Sequence, residues 1–548
     1  MKVKLVIILL FIATINGKDD LNAPQVEIPN GLLQGVHEQS YNGRTFSAFE
    51  GIPYARPPVG ELRFEAPKES YNWTGTWIAN TKHRCLQTLG PAISGDEDCL
   101  YLNVYVPREN PSPSDNLNVI VHIHGGGFAM WDAHFYSGPK YLMDEDVIFV
   151  TMNYRLGPFG FLSTEDKVAP GNNGLKDQAL SLKWIQKNIK FFGGNPDSVT
   201  ITGMSAGSAS VHLHYFSPLS KGTFHAGVSQ SGTVMDPWVI RHSPLKSTVR
   251  LAENAGCPTE TSRELVDCLK SRSGTKIAEI LKSQESQESP VSFGPVVEPE
   301  HDGAFLTQHP YKMLLDKTVA DVPWVVSVTE REGLFMLLFA EAMSVTAEQD
   351  IEKFLPQLLH FSDADDGLQE SEIHKIKEHY FNKATTDFTE TFIDITSDRF
   401  FLAGADAAAK LQARANKSPV YFYKFGYRGQ HSLVELVLPN AKHTVATHGD
   451  DCQYYLHSAA AEDKLSESDE KMKSVFSQWL LNYAETRKPS IKGVEWNPVS
   501  GGDILEFLYI ENPDSLFMDE VEGLGDSSFW NNLSLKDNEV RQRIRDEL

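Results

Sequence analysis

The sequence predicts an α/β protein, a mostly parallel sheet covered by helices on both faces, and two observations carry that prediction. Short, almost wholly apolar runs recur along the chain, and stretches with apolar residues three and four apart lie between them. The first run, 118–123, holds Val119, Ile120, Val121 and Ile123 and stops at Gly125, Gly126 and Gly127. Further runs follow at 147–152, 199–202, around Val228, and at 324–328. Runs without polar alternation fit strands buried on both faces. The clearest helix is 175–192, where Leu180, Trp184, Ile185 and Ile189 share a face. From about 340 to 411 the pattern is helical and acidic, which reads as an insertion on the sheet, and 420–425 returns to strand. Residues 466–487 form a late amphipathic helix and 504–510 a closing strand. No Gly-, Ser- or Pro-rich linker divides the chain, so 18–548 reads as a single domain.

Composition narrows the function. With 548 residues, 41% apolar and 22% charged, the chain can bury a large core. Lys+Arg 50 against Asp+Glu 73 gives a net charge of −23, which argues against nucleic acid as a partner. Five Cys are too few for a disulfide scaffold, and no repeat of roughly 20 to 50 residues is present.

The N-terminus has Lys2 and Lys4, an apolar run over 5–15, then Asn16, Gly17 and the charged Lys18, Asp19 and Asp20. That is the layout of a signal peptide over 1–17 rather than of a membrane span, which needs about 20 apolar residues. No second such run follows, so the expectation is a secretory-pathway protein without a membrane span. Three sequons, at Asn72, Asn416 and Asn532, fit that compartment, whereas Asn195 precedes Pro196 and does not qualify. The chain ends Arg545, Asp546, Glu547, Leu548, one conservative step from the Lys-Asp-Glu-Leu address read by the retrieval receptor of the endoplasmic reticulum. Retention in that lumen is the favoured expectation, with secretion as the alternative.

Two motifs carry chemistry. Gly203, Met204, Ser205, Ala206 and Gly207 form Gly-x-Ser-x-Gly where the third strand hands over to a helix. A sharp turn there pushes a Ser hydroxyl into a cleft, and flanking glycines allow the close backbone approach. About 0.2 such pentapeptides are expected by chance in a chain of this size, so position matters more than the match. His124, Gly125, Gly126, Gly127 and Phe128 follow the first strand, and His-Gly-Gly-Gly is expected by chance on the order of 0.01 times per chain. Consecutive glycines aim backbone N–H groups at one point, as a developing oxyanion requires. A Ser nucleophile also needs a His and an orienting acid. The 18 His and many acids cannot be sorted by pattern alone.

The motifs together resemble the type-B carboxylesterase/lipase family, the cholinesterase-like branch of the α/β-hydrolases, in the style of arthropod secreted esterases. The resemblance runs through 49–64 (FEGIPYARPPVGELRF), 97–104 (EDCLYLNV), HGGGF, 153–160 (NYRLGPFG), 171–177 (GNNGLKD), 192–196 (FGGNP), GMSAG and 229–232 (SQSG). It implies the α/β-hydrolase fold and an ester hydrolase acting through an acyl-enzyme, with no metal or organic cofactor. Carried over residue by residue, it implies Ser205 as nucleophile, Glu332 as acid with Glu330 as runner-up, and His448 as base. N–H groups of Gly126, Gly127 and Ala206 would form the oxyanion hole. It further implies disulfides Cys85 to Cys99 and Cys257 to Cys268, structural ion pairs Arg63 to Glu97 and Arg155 to Asp177, and an acyl pocket with Trp238, Val291 and Phe293. Cys452 is left over; a buried inert thiol is the preferred reading, a reactive one the alternative. Met204 stands where cholinesterases carry an acid, and 88–95 lacks their Trp, so a quaternary ammonium substrate would lose both partners. Met204 in place of Gln argues, less firmly, against a juvenile hormone esterase. The small residues of 289–292 imply a roomier acyl pocket, and a small lipophilic ester, such as a xenobiotic, signalling ester or lipid, is the expected substrate. The competing reading is a ligand-sequestering relative with little or no turnover.

Overall fold

The computed structural model describes residues 22–89, 92–284, 292–342, 345, 350–352, 355, 366–381, 387–439, 441, 443–458 and 464–548. The expected signal peptide and Val291 lie outside these residues. Among the described residues an 11-stranded sheet dominates. Its strands in chain order are β1 Val36–Gln39, β2 Thr45–Pro53, β3 Tyr101–Val106, β4 Leu117–Ile123, β5 Val147–Met152, β6 Gly194–Met204, β7 Ala226–Gln230, β8 Trp324–Thr329, β9 Val420–Phe425, β10 Leu505–Asn512 and β11 Ser515–Val521. They lie side by side as β11-β10-β9-β8-β7-β6-β4-β5-β3-β2-β1. From β5 to β10 every neighbour runs parallel, and the two flanks are antiparallel.

The apolar runs in the sequence are the parallel block, and there every residue of β5, β7 and β8 is buried. The strand expected at 199–202 is longer, because a register shift between Gly194 and Val199 lets it continue outward along β4. The flanks escaped the sequence reading. β2 is interrupted by Gly51 and ends at Pro53, and β11 is a half-exposed edge that carries Asp519 and Glu520, charges that blunt an edge strand. The segment expected to close the sheet therefore turns back once more as a hairpin.

Helices cover both faces. α1 Asn173–Asn188 is the helix expected at 175–192, its last turn tightening into a 3₁₀ segment at Ile189–Phe192. α2 Ala206–His214 follows β6 directly. The acidic insertion resolves into α3 Leu337–Ala342, α4 Asp366–Phe381, α5 Phe388–Ser397, a π-helical turn Asp398–Leu402 and α6 Ala403–Ala415. α7 Glu467–Thr486 starts where the Ser466 hydroxyl accepts the Asp469 N–H, 3.1 Å, and α8 Lys536–Glu547 closes the chain. No helix among the described residues is long and apolar enough to cross a membrane.

Cys85 pairs with Cys99 and Cys257 with Cys268. Cys452 is buried, and burial pushes its thiol well above the ordinary range, as fits an inert side chain. Arg155 reaches both carboxylate oxygens of buried Asp177, at 2.8 and 2.7 Å, and Arg63 reaches both of Glu97, at 2.5 and 2.6 Å.

Parallel register decides where loops emerge. Gly203 lies beside Ile123, Met204 beside Gln230, and Gln230 beside Ser327. The segments after β4, β6, β7 and β8 are thus delivered to one edge, the carboxyl edge where α/β proteins place ligands. A bridge between Arg331 and Thr447, with the Arg331 N–H on Ala446 O at 3.0 Å, brings the loop of 446–451 to the same edge.

Candidate active site

Ser205 occupies the turn between β6 and α2 with φ 58 and ψ −122, a strained conformation for a side chain larger than Gly. Its N–H donates to Gln230 O at 2.9 Å, which pins the turn to β7. The flanking glycines follow from contact: a Cβ on Gly203 would overlap the Gly207 carbonyl, and one on Gly207 would overlap the Ile123 carbonyl. Strand and helix touch backbone to backbone, so the Ser205 side chain has one way out. Ser205 is half-buried between buried neighbours.

Beside it, a Cβ on Gly125 would lie 3.0 Å from Ser205 Cβ, so the glycine loop after β4 runs directly past the hydroxyl-bearing carbon. Gly126 and Gly127 have φ 99 and 60, which only Gly adopts without strain. Ala206 is the first residue of α2, so its N–H has no partner within the helix. His124 shapes this loop: its Nδ1 lies 2.9 Å from Gly125 O and its ring stacks on Tyr154 at 4.4 Å. Burial pushes His124 down to about 4 and His122 to about 3, so both imidazoles stay neutral.

Glu332 follows β8 and is fully buried. Its Oε1 accepts from Ser231 Oγ at 2.6 Å and from the Thr329 N–H at 2.6 Å, while Oε2 lies 2.6 Å from His448 Nδ1. A carboxylate only accepts, so Nδ1 is the donor of this pair and Nε2 is the ring nitrogen left facing away from Glu332. Phe335 stacks on the His448 ring at 4.6 Å, and Phe401 packs against it at 4.8 Å. The next residue, Gly449, rests on Met204, whose Cε lies 3.5 Å from the position of a Cβ there. The His448 loop therefore sits on the residue that precedes Ser205. Glu330, the runner-up acid, points elsewhere and pairs with Lys424 at 2.8 Å.

The loop is held from beneath. Asp450, pushed up to about 6 by burial, accepts from Ser432 Oγ at 2.7 Å and from the Thr447 N–H at 2.9 Å. Asp451, also raised by burial, accepts from Tyr423 Oη at 2.7 Å, Gln230 Nε2 at 3.0 Å and Ser327 Oγ at 3.1 Å. Gln230 thus ties the Ser205 turn to the His448 loop through one buried network.

Trp238 is buried, with its ring 6.2 Å from Phe128 and 6.0 Å from Phe401, and its Nε1 donates to Phe400 O at 2.9 Å. Phe293 is buried in the segment whose Pro295 O accepts the Arg241 N–H at 2.8 Å, so it runs beside the Trp238 turn. The sequence reading missed Ser231, Phe335 and Phe401. Ser231 lay inside a quoted block with nothing to mark its hydroxyl, and Phe401 arrives from far along the chain through a π-helical turn with no local pattern. Among the described residues no group of three or more His, Cys, Asp or Glu is arranged to hold a metal ion.

Of the sequons, Asn72 and Asn532 are exposed. Asn416 is half-buried, and its Nδ2 donates to Val322 O and Ala320 O at 3.3 and 3.4 Å.

Comparison with known proteins agrees over nearly the whole chain. The model of the carboxylesterase family matches residues 22–522. A carboxylic ester hydrolase of Bombus ignitus is 36% identical, covering 98% of this chain and 99% of its own. Esterase FE4 of Myzus persicae is 39% identical, covering 90% of this chain and 88% of its own. The crystal structure of juvenile hormone esterase from Manduca sexta, with OTFP covalently attached, superposes with a TM-score of 0.84 at 26% identity, covering 96% of this chain and 100% of that one. The sheet described above is accordingly that of an α/β-hydrolase.

Proposed function

The chain belongs to the carboxylesterase family and is a carboxylic ester hydrolase, and from that premise we propose that Ser205, Glu332 and His448 are its catalytic triad and that its substrates are neutral lipophilic esters. The observation that carries the reading is the 2.6 Å contact between Glu332 and His448, on a loop that rests against the neighbour of Ser205. Ser205 attacks the ester carbonyl while His448 Nε2 takes its proton, and Glu332 steadies the imidazolium. The N–H groups of Gly126, Gly127 and Ala206 hold the oxyanion. His448 then returns the proton to the departing alcohol, and water releases the acid from Ser205 by the same steps in reverse roles. Aromatic side chains and Met204 surround these groups, which suits an uncharged acyl chain, and Met204 supplies no charge to a cationic head group.

The test is hydrolysis of p-nitrophenyl esters from acetate to octanoate beside Ser205→Ala. Turnover should fall at least about 10³-fold in the variant across the series, because triad members act as a unit. An inert parent protein would instead favour the ligand-sequestering reading, and a steep preference for acetate would contradict a roomy acyl pocket.

We further propose entry into the secretory pathway as one domain over 18–548, glycosylation at Asn72 and Asn532 ahead of Asn416, and retention through Arg545, Asp546, Glu547 and Leu548. Glycosidase sensitivity of the protein, with and without its last four residues, reads all but the domain count.

A further inference from the structure

The turn that carries Trp238 meets the π-helical turn Asp398–Leu402 once and the start of α6, which follows it, once. Trp238 Nε1 donates to Phe400 O at 2.9 Å, and a Cβ on Gly404 would overlap Asp236 Oδ1, so the Asp236 carboxyl fills the place of a side chain there. Phe401, in the same π-helical turn, packs on both Trp238 and His448. Trp238 lines the acyl pocket in the reading above, and the π-helical turn packs against it, so the two segments are taken together as one wall. A π-helical turn is intrinsically uncommon and persists where surrounding contacts hold it.

One side chain outside the wall is linked to both segments, directly to the π-helical turn and through Arg541 to the Trp238 turn. Asp537, in the first turn of α8, accepts from Arg399 Nη2 at 2.7 Å and from Arg541 Nη2 at 2.7 Å. Arg399 belongs to the π-helical turn, next to Phe400. Arg541 donates from the same Nη2 to Met235 O at 3.2 Å, next to Asp236 and three residues before Trp238. The Arg399 and Asp537 residues are buried, and Arg541 is nearly so. The two cations hold the Asp537 carboxyl far below the usual carboxylate range, so it stays ionised inside the protein. Two guanidinium groups sharing one carboxylate form a clamp whose arms end on the two halves of the wall.

We propose that Asp537 is a positioning residue for the acyl pocket: through Arg399 and Arg541 it holds the Phe400/Phe401 turn against the Trp238 turn, and so sets which acyl lengths the enzyme accepts. The proposal rests on the reading of Trp238 as a pocket wall. Removing the charge frees Arg399 and Arg541 from their common anchor, the two turns part, and the pocket admits longer chains. Ser205, Glu332 and His448 make no direct contact with Asp537, Arg399 or Arg541, so the effect on bond chemistry is limited to what Phe401 passes to His448.

The experiment compares kcat and KM for p-nitrophenyl acetate and octanoate in the full-length parent, Asp537→Asn, Arg541→Lys, Ser205→Ala and Lys536→Ala, with circular dichroism and Tm as checks on folding. In Asp537→Asn the octanoate-to-acetate ratio of kcat/KM should rise about five-fold or more while kcat for acetate stays within about three-fold, because a displaced wall alters the fit of the acyl chain. Lys536→Ala, on the same helix with its ammonium half-exposed, should leave the ratio unchanged. A folded Asp537→Asn with an unchanged or lower ratio overturns the proposal. If that variant does not fold, Arg541→Lys is read by the same criterion, since Lys keeps the charge but loses the fork that spans Asp537 and Met235 O. Undiminished turnover in Ser205→Ala would overturn the proposed triad and this inference together, whereas a dead Ser205→Ala with a flat ratio overturns this inference alone.

Discussion

On one side of Ser205 the chain is fixed by backbone against backbone, and on the other by side chains reaching between helices. The first side is β4, β6 and α2, where Gly203, Gly207 and Gly125 touch carbonyls or Ser205 itself. The second is the π-helical turn, α8 and the Trp238 segment, joined by Arg399, Arg541, Asp537 and aromatic rings. Backbone contact leaves no adjustable part, whereas a side-chain contact can be changed one group at a time. The difference suits the chemistry: nucleophile and oxyanion donors must be placed alike for every ester, while the acyl wall must vary with the substrate.

The sharpest way to break the comparison is Gly207→Ala. The added Cβ meets the Ile123 carbonyl, for which there is no room, so the variant should lose about 3 kcal/mol or more of stability and nearly all activity. Denaturant unfolding reads the first and ester turnover the second. A stable, active Gly207→Ala would mean that the turn is held by something other than backbone contact.

Ser231→Ala probes the join between the two sides. It removes one of the hydrogen bonds on buried Glu332 and leaves the contact to His448 in place. A hydrogen bond to a charged group contributes about 1.5–3 kcal/mol, so kcat should fall about 10- to 100-fold with KM little changed. A rise in KM at constant kcat would place Ser231 in substrate binding instead.

The smallest effect concerns dryness. His214 on α2 is buried between Ser220 Oγ, 2.6 Å from Nδ1, and Gln178 Oε1, 3.1 Å from Nε2, and burial pushes it from 6.5 down to about 3. A folded value below the unfolded one means that the unfolded chain takes the proton first as pH falls. This His therefore withdraws stability progressively from about pH 6.5 toward pH 3. His214→Gln should be less stable than the parent at pH 7.5, and the gap in Tm should narrow on acidification, about 1 kcal/mol of it within the first pH unit below 6.5. A gap that stays constant would show that the imidazole titrates normally.

The same contrast explains what the sequence disclosed. Ser205, Gly126, Gly127 and Ala206 were legible because backbone geometry forces particular residues at fixed spacing within one short segment. The parallel strands were legible because burial on both faces leaves no exposed positions and few polar residues in β5 or β8. Glu332 and His448 needed the family resemblance, since their partnership is formed across 116 positions by a bridge between loops. Phe401 and Asp537 left no trace, because a side chain that meets its partners from far along the chain has no local pattern to obey. The two edges, β1 and β11, were missed for the opposite reason: edge strands mix polar and apolar residues and read as loops.

The most direct measurement is mass spectrometry of the protein after reaction with p-nitrophenyl diethyl phosphate, a neutral lipophilic ester whose phosphoryl group a serine hydrolase retains. The account predicts one diethylphosphoryl group per chain, on the peptide carrying Ser205, with one equivalent of p-nitrophenolate released and no adduct in Ser205→Ala. A phosphoryl group on any other residue, or an adduct that persists in Ser205→Ala, would contradict it.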